Sequence, residues 1–256
     1  MELPLARAIA ARLDLVGATG STNADLRAHA SDADAWPHLA VLVTHDQTAG
    51  RGRLDRTWTA PAGAAIAVSV LLRALPADPA ARGWIPLAAG LAMAEAIAEQ
   101  LPTHDVAVKW PNDVLVDGRK ICGILAEATT DAVVLGAGVN TAMTAEQLPV
   151  PSATSFAALG AVAEDDLLLS SYLERLDGLL SALTVTENAV VSGLHGAVSA
   201  RCATLGQTVR VSLPAGRSLE GVATAIDPDG RLLVESEGLE HAISAGDVVH
   251  VRPAGS

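Results

Sequence analysis

The chain holds only two lysines, Lys109 and Lys120, both inside the run K-W-P-N-D-V-L-V-D-G-R-K, while the other strongly basic positions are arginine. An ammonium is a compact charge that can sit against two anions at once, which a planar guanidinium cannot imitate. Three of the four asparagines lie in short polar runs between apolar stretches: Asn23 in S-T-N, Asn112 in W-P-N-D and Asn140 in G-A-G-V-N-T. Gln47 and the run G-R-G-R at 50–53 complete the set. Arg51 and Arg53, spaced by Gly50 and Gly52, can hydrogen-bond carboxylate and phosphate oxygens together, or form a solvated turn. Ser21-Thr22-Asn23 reads either as polar recognition or as a helix N-cap, and Asp113 either as a Mg²⁺ ligand or as the start of a turn after Pro111. Gly136 and Gly138 can equally mark close strand packing.

Those segments need a scaffold, and composition allows one. A chain of 256 residues, half of them hydrophobic, can bury a substantial core in one large domain or in a main domain plus a small one. The net charge of −12 argues against general affinity for nucleic acid or anionic membrane. Positive charge is instead local, with Arg51, Arg53 and Arg56 interrupted by Asp55, which suits a small anionic ligand. Cys122 and Cys202 stand far apart without zinc-site spacing, so a reducing cytoplasm is expected. No signal-peptide pattern or spanning apolar run is found, so no membrane partner is expected.

Periodicity predicts helices over 4–14, from Thr22 onward, 84–101, 165–184 and 187–200. Strands are predicted at 39–44, 64–72, 106–110, 114–116, 121–127 and 132–139, with an Asp-Gly hairpin turn just before Lys120. The long polar connection between the first two strands is of the kind that carries function. From Gly206 the pattern becomes all-β, with a turn at P-A-G-R-S, a hairpin over 227–230 and D-V-V-H-V closing a small barrel. G-R-G-R-L-D fails as a dinucleotide fingerprint because Asp55 takes the third glycine position, and no P-loop, nucleophile-elbow or zincin motif is present.

The order S-T-N, Q-T-A-G-R-G-R with Trp58 beyond it, K-W-P-N-D-V-L-V-D-G-R-K-I-C-G-I-L-A-E, then G-A-G-V-N-T closely resembles the biotin protein ligase family, over about 21–141. The resemblance implies an α+β fold: a catalytic domain over 1–204 related to class II aminoacyl-tRNA synthetases, with a mixed or antiparallel sheet, and an SH3-like β-barrel over 205–256. It implies an ATP- and Mg²⁺-dependent enzyme that makes biotinyl-5′-AMP and passes biotin to a lysine of a biotin carboxyl carrier domain of an acyl-CoA or pyruvate carboxylase. Ser21, Thr22, Asn23 and Gln47 then match the segments meeting biotin's ureido head. Gly50, Arg51, Gly52 and Arg53 match the loop over biotin and the adenylate, Lys120 the lysine between carboxylate and α-phosphate, and Gly123 the biotin channel. Lys109, Asn112 and Asn140 match nucleotide-side positions, and Asp113 the metal position. Trp58 and Trp110 are walls for adenine or biotin, or core residues. Twenty residues before Ser21 suggest a ligase without a DNA-binding repressor domain. A lipoate ligase and a noncatalytic sensor are the alternatives, and Leu54 with Asp55 makes the loop less positive than in some relatives.

Overall fold

The computed structural model describes residues 2–54, 56–212, 218–244 and 247–250. In chain order the elements are α1 (Pro4–Ile9), β1 (Arg12–Leu15), α2 (Thr22–His29), β2 (Ala40–Thr44), β3 (Gly50–Arg51), β4 (Thr57–Trp58) and β5 (Ala65–Leu72). Next come α3 (Pro79–Arg82), α4 (Ile85–Gln100), β6 (Val106–Lys109), β7 (Asp113–Val116), β8 (Arg119–Ala128) and β9 (Val133–Asn140). After a short 3₁₀ turn follow α5 (Asp165–Thr186), α6 (Leu194–Ala200), β10 (Thr208–Ser212), β11 (Ser218–Ile226), β12 (Leu232–Ser236), β13 (Leu239–Ile243) and β14 (Asp247–His250).

Seven strands form one mixed sheet in the order β1-β2-β5-β9-β8-β7-β6, parallel only between β1 and β2. Period-two alternation splits the residues of β5 and β9 between two faces. Ile66, Val68, Val70, Leu135, Ala137 and Val139 enter the main core, where α4 and α5 pack; α4 is buried along most of its length, which explains its alanine and leucine content. The opposite face carries Ala67, Ser69, Gly136 and Gly138, and α2 packs against part of it. The D-G turn takes left-handed backbone at Asp117 (φ 49°) and Gly118 (φ 73°), as a primed hairpin turn requires.

The C-terminal strands make an antiparallel sheet in the order β13-β12-β11-β10-β14. Its β11–β12 turn docks on two buried tryptophans: Trp84 Nε1 donates to Pro228 O at 2.8 Å and Trp110 Nε1 to Gly230 O at 2.9 Å.

Three sequence expectations need correction. The helix at 4–14 ends at Ile9, because Ala10 turns extended and Arg12–Leu15 pairs with β2, a strand whose alternation a helical pattern had masked. The helix at 187–200 exists only as Leu194–Ala200. Glu187 is left-handed at φ 52°, and the Asn188 side chain accepts from the N–H groups of Val190 and Val191, so the intervening chain is turns. Trp110 is a joint between the two sheets, not a wall of the main cavity. The expected turn at P-A-G-R-S lies, apart from its last residue, outside the described residues, as does Asp55.

Candidate active site

A cavity of ≈ 170 Å³ opens on the small-residue face of the mixed sheet. Its floor exists because side chains are missing there: a Cβ on Gly136 would meet Asn23 Oδ1 at 2.4 Å, and one on Gly138 would meet Trp58 Cε2 at 2.7 Å. Contacts that short are sterically forbidden, so the two glycines let Asn23 and the Trp58 indole lie directly on β9. Gly123 completes the floor from β8, in register with Gly138.

One end of the cavity is polar. Ser21 caps α2, its hydroxyl accepting from Ala24 N–H at 3.4 Å, and it lines the cavity as well, so the capping and recognition readings of S-T-N coexist. A bridge between Thr19 and Gln47 brings the second polar segment alongside. Gln47 Oε1 accepts from the backbone N–H of Thr22 at 2.9 Å and lies 3.1 Å from Thr22 Oγ1. Behind them Ser69 Oγ sits 2.7 Å from Thr22 Oγ1 and 2.6 Å from Asn23 Oδ1.

The other end carries charge. β8 has a bulge opposite Val114/Leu115, so that Asp113 pairs with Gly123 but Leu115 with Lys120. An extra residue in one strand re-aims the side chains around it. Here it turns Lys120 over Gly123, where an added Cβ would lie 3.1 Å from Lys120 Nζ, and Nζ reaches Asp113 Oδ1 at 2.5 Å. Arg53 comes from the opposite wall, the turn of the β3–β4 hairpin, and donates to Asn112 Oδ1 at 3.1 Å. Asn112 is itself held by its Nδ2 donating to Ile124 O at 2.7 Å. On the core side of β8, burial pushes the Cys122 thiol up, out of the range of a reactive thiolate.

Of the residues singled out from sequence, Ser21, Thr22, Asn23, Gln47, Gly52, Arg53, Trp58, Asn112, Asp113, Lys120 and Gly123 line this one cavity. Gly50, Arg51, Lys109, Asn140 and Trp110 do not. Gly50 and Arg51 form the base strand of the hairpin, with Arg51 exposed. Asn140 is buried and its Nδ2 donates to Thr154 O at 2.9 Å. Lys109 lies toward the C-terminal sheet, where its charge reaches His250. Sequence reasoning missed Ser69 and Glu127; the signals available were a lone hydroxyl inside the apolar strand A-I-A-V-S-V-L-L and a carboxylate closing I-L-A-E.

Among the described residues no group of three or more His, Cys, Asp or Glu side chains could cage a metal ion. Mg²⁺ held with a nucleotide needs only one or two carboxylates beside the phosphates, and Asp113 supplies one. The donor set therefore fits a cation that arrives with its nucleotide.

A cavity with a hydrogen-bonding end and a cationic end, on the glycine face of a mixed α+β sheet, places the chain in the biotin/lipoate class of ligase folds. Residues 19–140 match the model of the biotin/lipoate A/B protein ligase family, and 204–251 that of the biotin protein ligase C-terminal domain. Over 246 residues the chain is 43% identical to the biotin–[acetyl-CoA-carboxylase] ligase of Mycobacterium tuberculosis, covering 94% of this chain and 90% of that protein. The Aquifex aeolicus biotin protein ligase in complex with biotin and ATP superposes with a TM-score of 0.77 at 24% identity, over 95% of this chain and 100% of that one. The Leishmania major enzyme in complex with biotinyl-5-AMP superposes at 0.61 with 25% identity, over 92% and 99%. The chain belongs to the biotin protein ligase family, and is an enzyme of that family.

Proposed function

We propose that the chain activates biotin with ATP as biotinyl-5′-AMP and then transfers it to a lysine of a biotin carboxyl carrier domain of an acyl-CoA or pyruvate carboxylase. The observation that carries this reading is the pairing, in one cavity, of an uncharged polar end with a cationic end formed by Lys120 and Arg53. Hydroxyls and amides at Ser21, Thr22, Asn23 and Gln47 suit a ureido group, which both donates and accepts. A lipoyl dithiolane has no such hydrogen-bonding head, so the polar end favours biotin over the lipoate alternative.

The chemistry follows from charge. The biotin carboxylate attacks the α-phosphorus and pyrophosphate leaves, so two anions must first approach each other. Lys120 and Arg53 offset that repulsion most where negative charge is most crowded, in the transition state. Mg²⁺ bound with ATP at Asp113 would neutralise phosphate charge further. In the second step the acceptor lysine amine attacks the mixed anhydride and AMP leaves. The β3–β4 hairpin, with Arg53 and Trp58 on the cavity, shields the anhydride from water. By family resemblance, Gly50 and Arg51 at the hairpin base, and Lys109 and Asn140 beyond the cavity wall, belong to the loop and nucleotide sides.

Residues 1–204 carry the chemistry in this reading and 205–256 the C-terminal domain. A cytoplasmic ligase without repressor activity accords with the acidic charge of −12, which disfavours DNA. The test is mass spectrometry of acyl-adenylate together with pyrophosphate release, with MgATP and either biotin or lipoate and no acceptor. Biotinyl-AMP is expected; lipoyl-AMP alone would establish the lipoate reading, and biotin binding without any adenylate would establish a sensor.

A further inference from the structure

The polar end of the cavity is backed by a chain of hydrogen bonds whose outer members touch no ligand, and its direction can be worked out from the anchor inward. Arg27 Nη1 meets Glu127 Oε1 at 2.7 Å, joining α2 to the end of β8. The other carboxylate oxygen, Oε2, lies 2.8 Å from Asn23 Nδ2, and the carbonyl of Leu125 lies 3.3 Å from the same nitrogen. A carboxylate and a carbonyl offer only acceptors, so the Asn23 amide is held with its NH₂ toward β8. Asn23 Oδ1 must then face Ser69, and the Ser69 hydroxyl, which has one proton, must donate to it across 2.6 Å. With that proton committed, the 2.7 Å contact between Ser69 and Thr22 requires the Thr22 hydroxyl to be the donor. Thr22 Oγ1 is left with lone pairs and no spare proton.

We propose that Glu127 is a positioning residue that fixes the hydrogen-bond polarity of this end, so that Thr22 presents an acceptor to an N–H donor of a cyclic urea. The identity of the urea rests on the biotin reading above; the direction of the chain rests on the distances alone. Neither Glu127 nor Ser69 lines the cavity, and Ser69 is fully buried. Both act through Thr22 and Asn23. The chain also gives Gly136 a second role, because Asn23 Oδ1 can reach Ser69 only where β9 lacks a Cβ, and Ser69 and Gly136 are register partners.

Glu127→Ala leaves the Asn23 amide free to rotate, and a rotated amide turns its NH₂ on Ser69 and reverses the donors down to Thr22. Glu127→Gln keeps an oxygen that can accept from Asn23, though it weakens the link to Arg27. Ser69→Ala cuts the chain itself and frees the Thr22 proton to point at the ligand.

The experiment is steady-state adenylation by the full chain, with KM for biotin and for ATP measured separately, alongside melting temperatures. Removing one matched hydrogen bond corresponds to about a tenfold rise in biotin KM. That rise is expected for Glu127→Ala and Ser69→Ala, with ATP KM and kcat changed less than about twofold, and Glu127→Gln is expected to restore most of the loss. A Glu127→Ala enzyme with wild-type biotin KM and only a lowered melting temperature would overturn the proposal. So would a Glu127→Gln enzyme as impaired as Glu127→Ala. If Glu127→Ala fails to fold, Ser69→Ala and Glu127→Gln decide: both raising biotin KM equally, or neither raising it, contradicts the relay. A wild-type chain that forms no biotinyl-AMP overturns the biotin reading instead, and this inference with it.

Discussion

The two faces of the mixed sheet are made by the same strands and serve opposite ends. Along β9, Leu135, Ala137 and Val139 enter the core with α4 and α5, while Gly136 and Gly138 face Asn23 and Trp58. One face gains stability by filling space, and the other gains a site by leaving it empty. Neighbouring residues one peptide apart therefore control different observables, and substitutions in pairs can separate them.

The largest expected effect lies on the filled face. Leu135→Ala removes a fully buried side chain and should cost about 2–5 kcal/mol in chemical denaturation. Its KM for biotin should not move, and a changed KM with intact stability would break the division between faces. On the empty face, Lys120→Arg puts a planar head where a point charge spans Asp113 and the reacting anions. Roughly a hundredfold loss of adenylation is expected, about 2.7 kcal/mol in the transition state, read as pyrophosphate release. Near-normal release would remove Lys120 from the chemistry.

Gly138→Ala should act more mildly, because the Trp58 indole can swing away from a Cβ placed 2.7 Å from it. About a tenfold rise in biotin KM is expected, equivalent to about 1.4 kcal/mol, with the melting temperature nearly unchanged. The smallest effect is at the joint with the C-terminal sheet. Burial, aided by the nearby Lys109 charge, lowers the pKa of His250 below the ordinary histidine value. A lowered folded pKa means that the unfolded chain takes up the proton first as pH falls. The His250 contribution is thus fully present above about pH 6.5 and is lost below it. His250→Gln should flatten that acid limb in melts taken between about pH 7.5 and pH 5.5; an unchanged slope would dissociate His250 from it.

The contrast between faces also explains what could be read from sequence. The filled face was legible, since A-I-A-V-S-V-L-L and V-V-L-G-A-G-V-N are apolar runs bounded by turns, and the helix later seen as Ile85–Gln100 shows in its alanine and leucine content. The polar motifs were legible as types and order. Their convergence was not, because it depends on which strands neighbour one another: Ser69 meets Thr22, Asn23 and Gly136 only once β5 and β9 pair beneath α2. The bulge that turns Lys120 onto the site leaves no mark in D-V-L-V-D-G-R-K-I-C-G. K-W-P-N-D read as one functional unit, yet it divides. Asn112 and Asp113 serve the cavity, while Trp110 clamps the second sheet through Gly230 and Lys109 lies on that side.

The most direct measurement of the claim that the empty face is the binding site is calorimetric titration of biotin into the wild-type chain and into Gly136→Ala. The added Cβ would stand 2.4 Å from Asn23 Oδ1, on a residue whose neighbour Leu135 faces the core. Saturable one-to-one binding by the wild type, and at least about tenfold weaker binding by a variant of unchanged melting temperature, is the expected result. Equal affinity in the two proteins would show that biotin does not use this face.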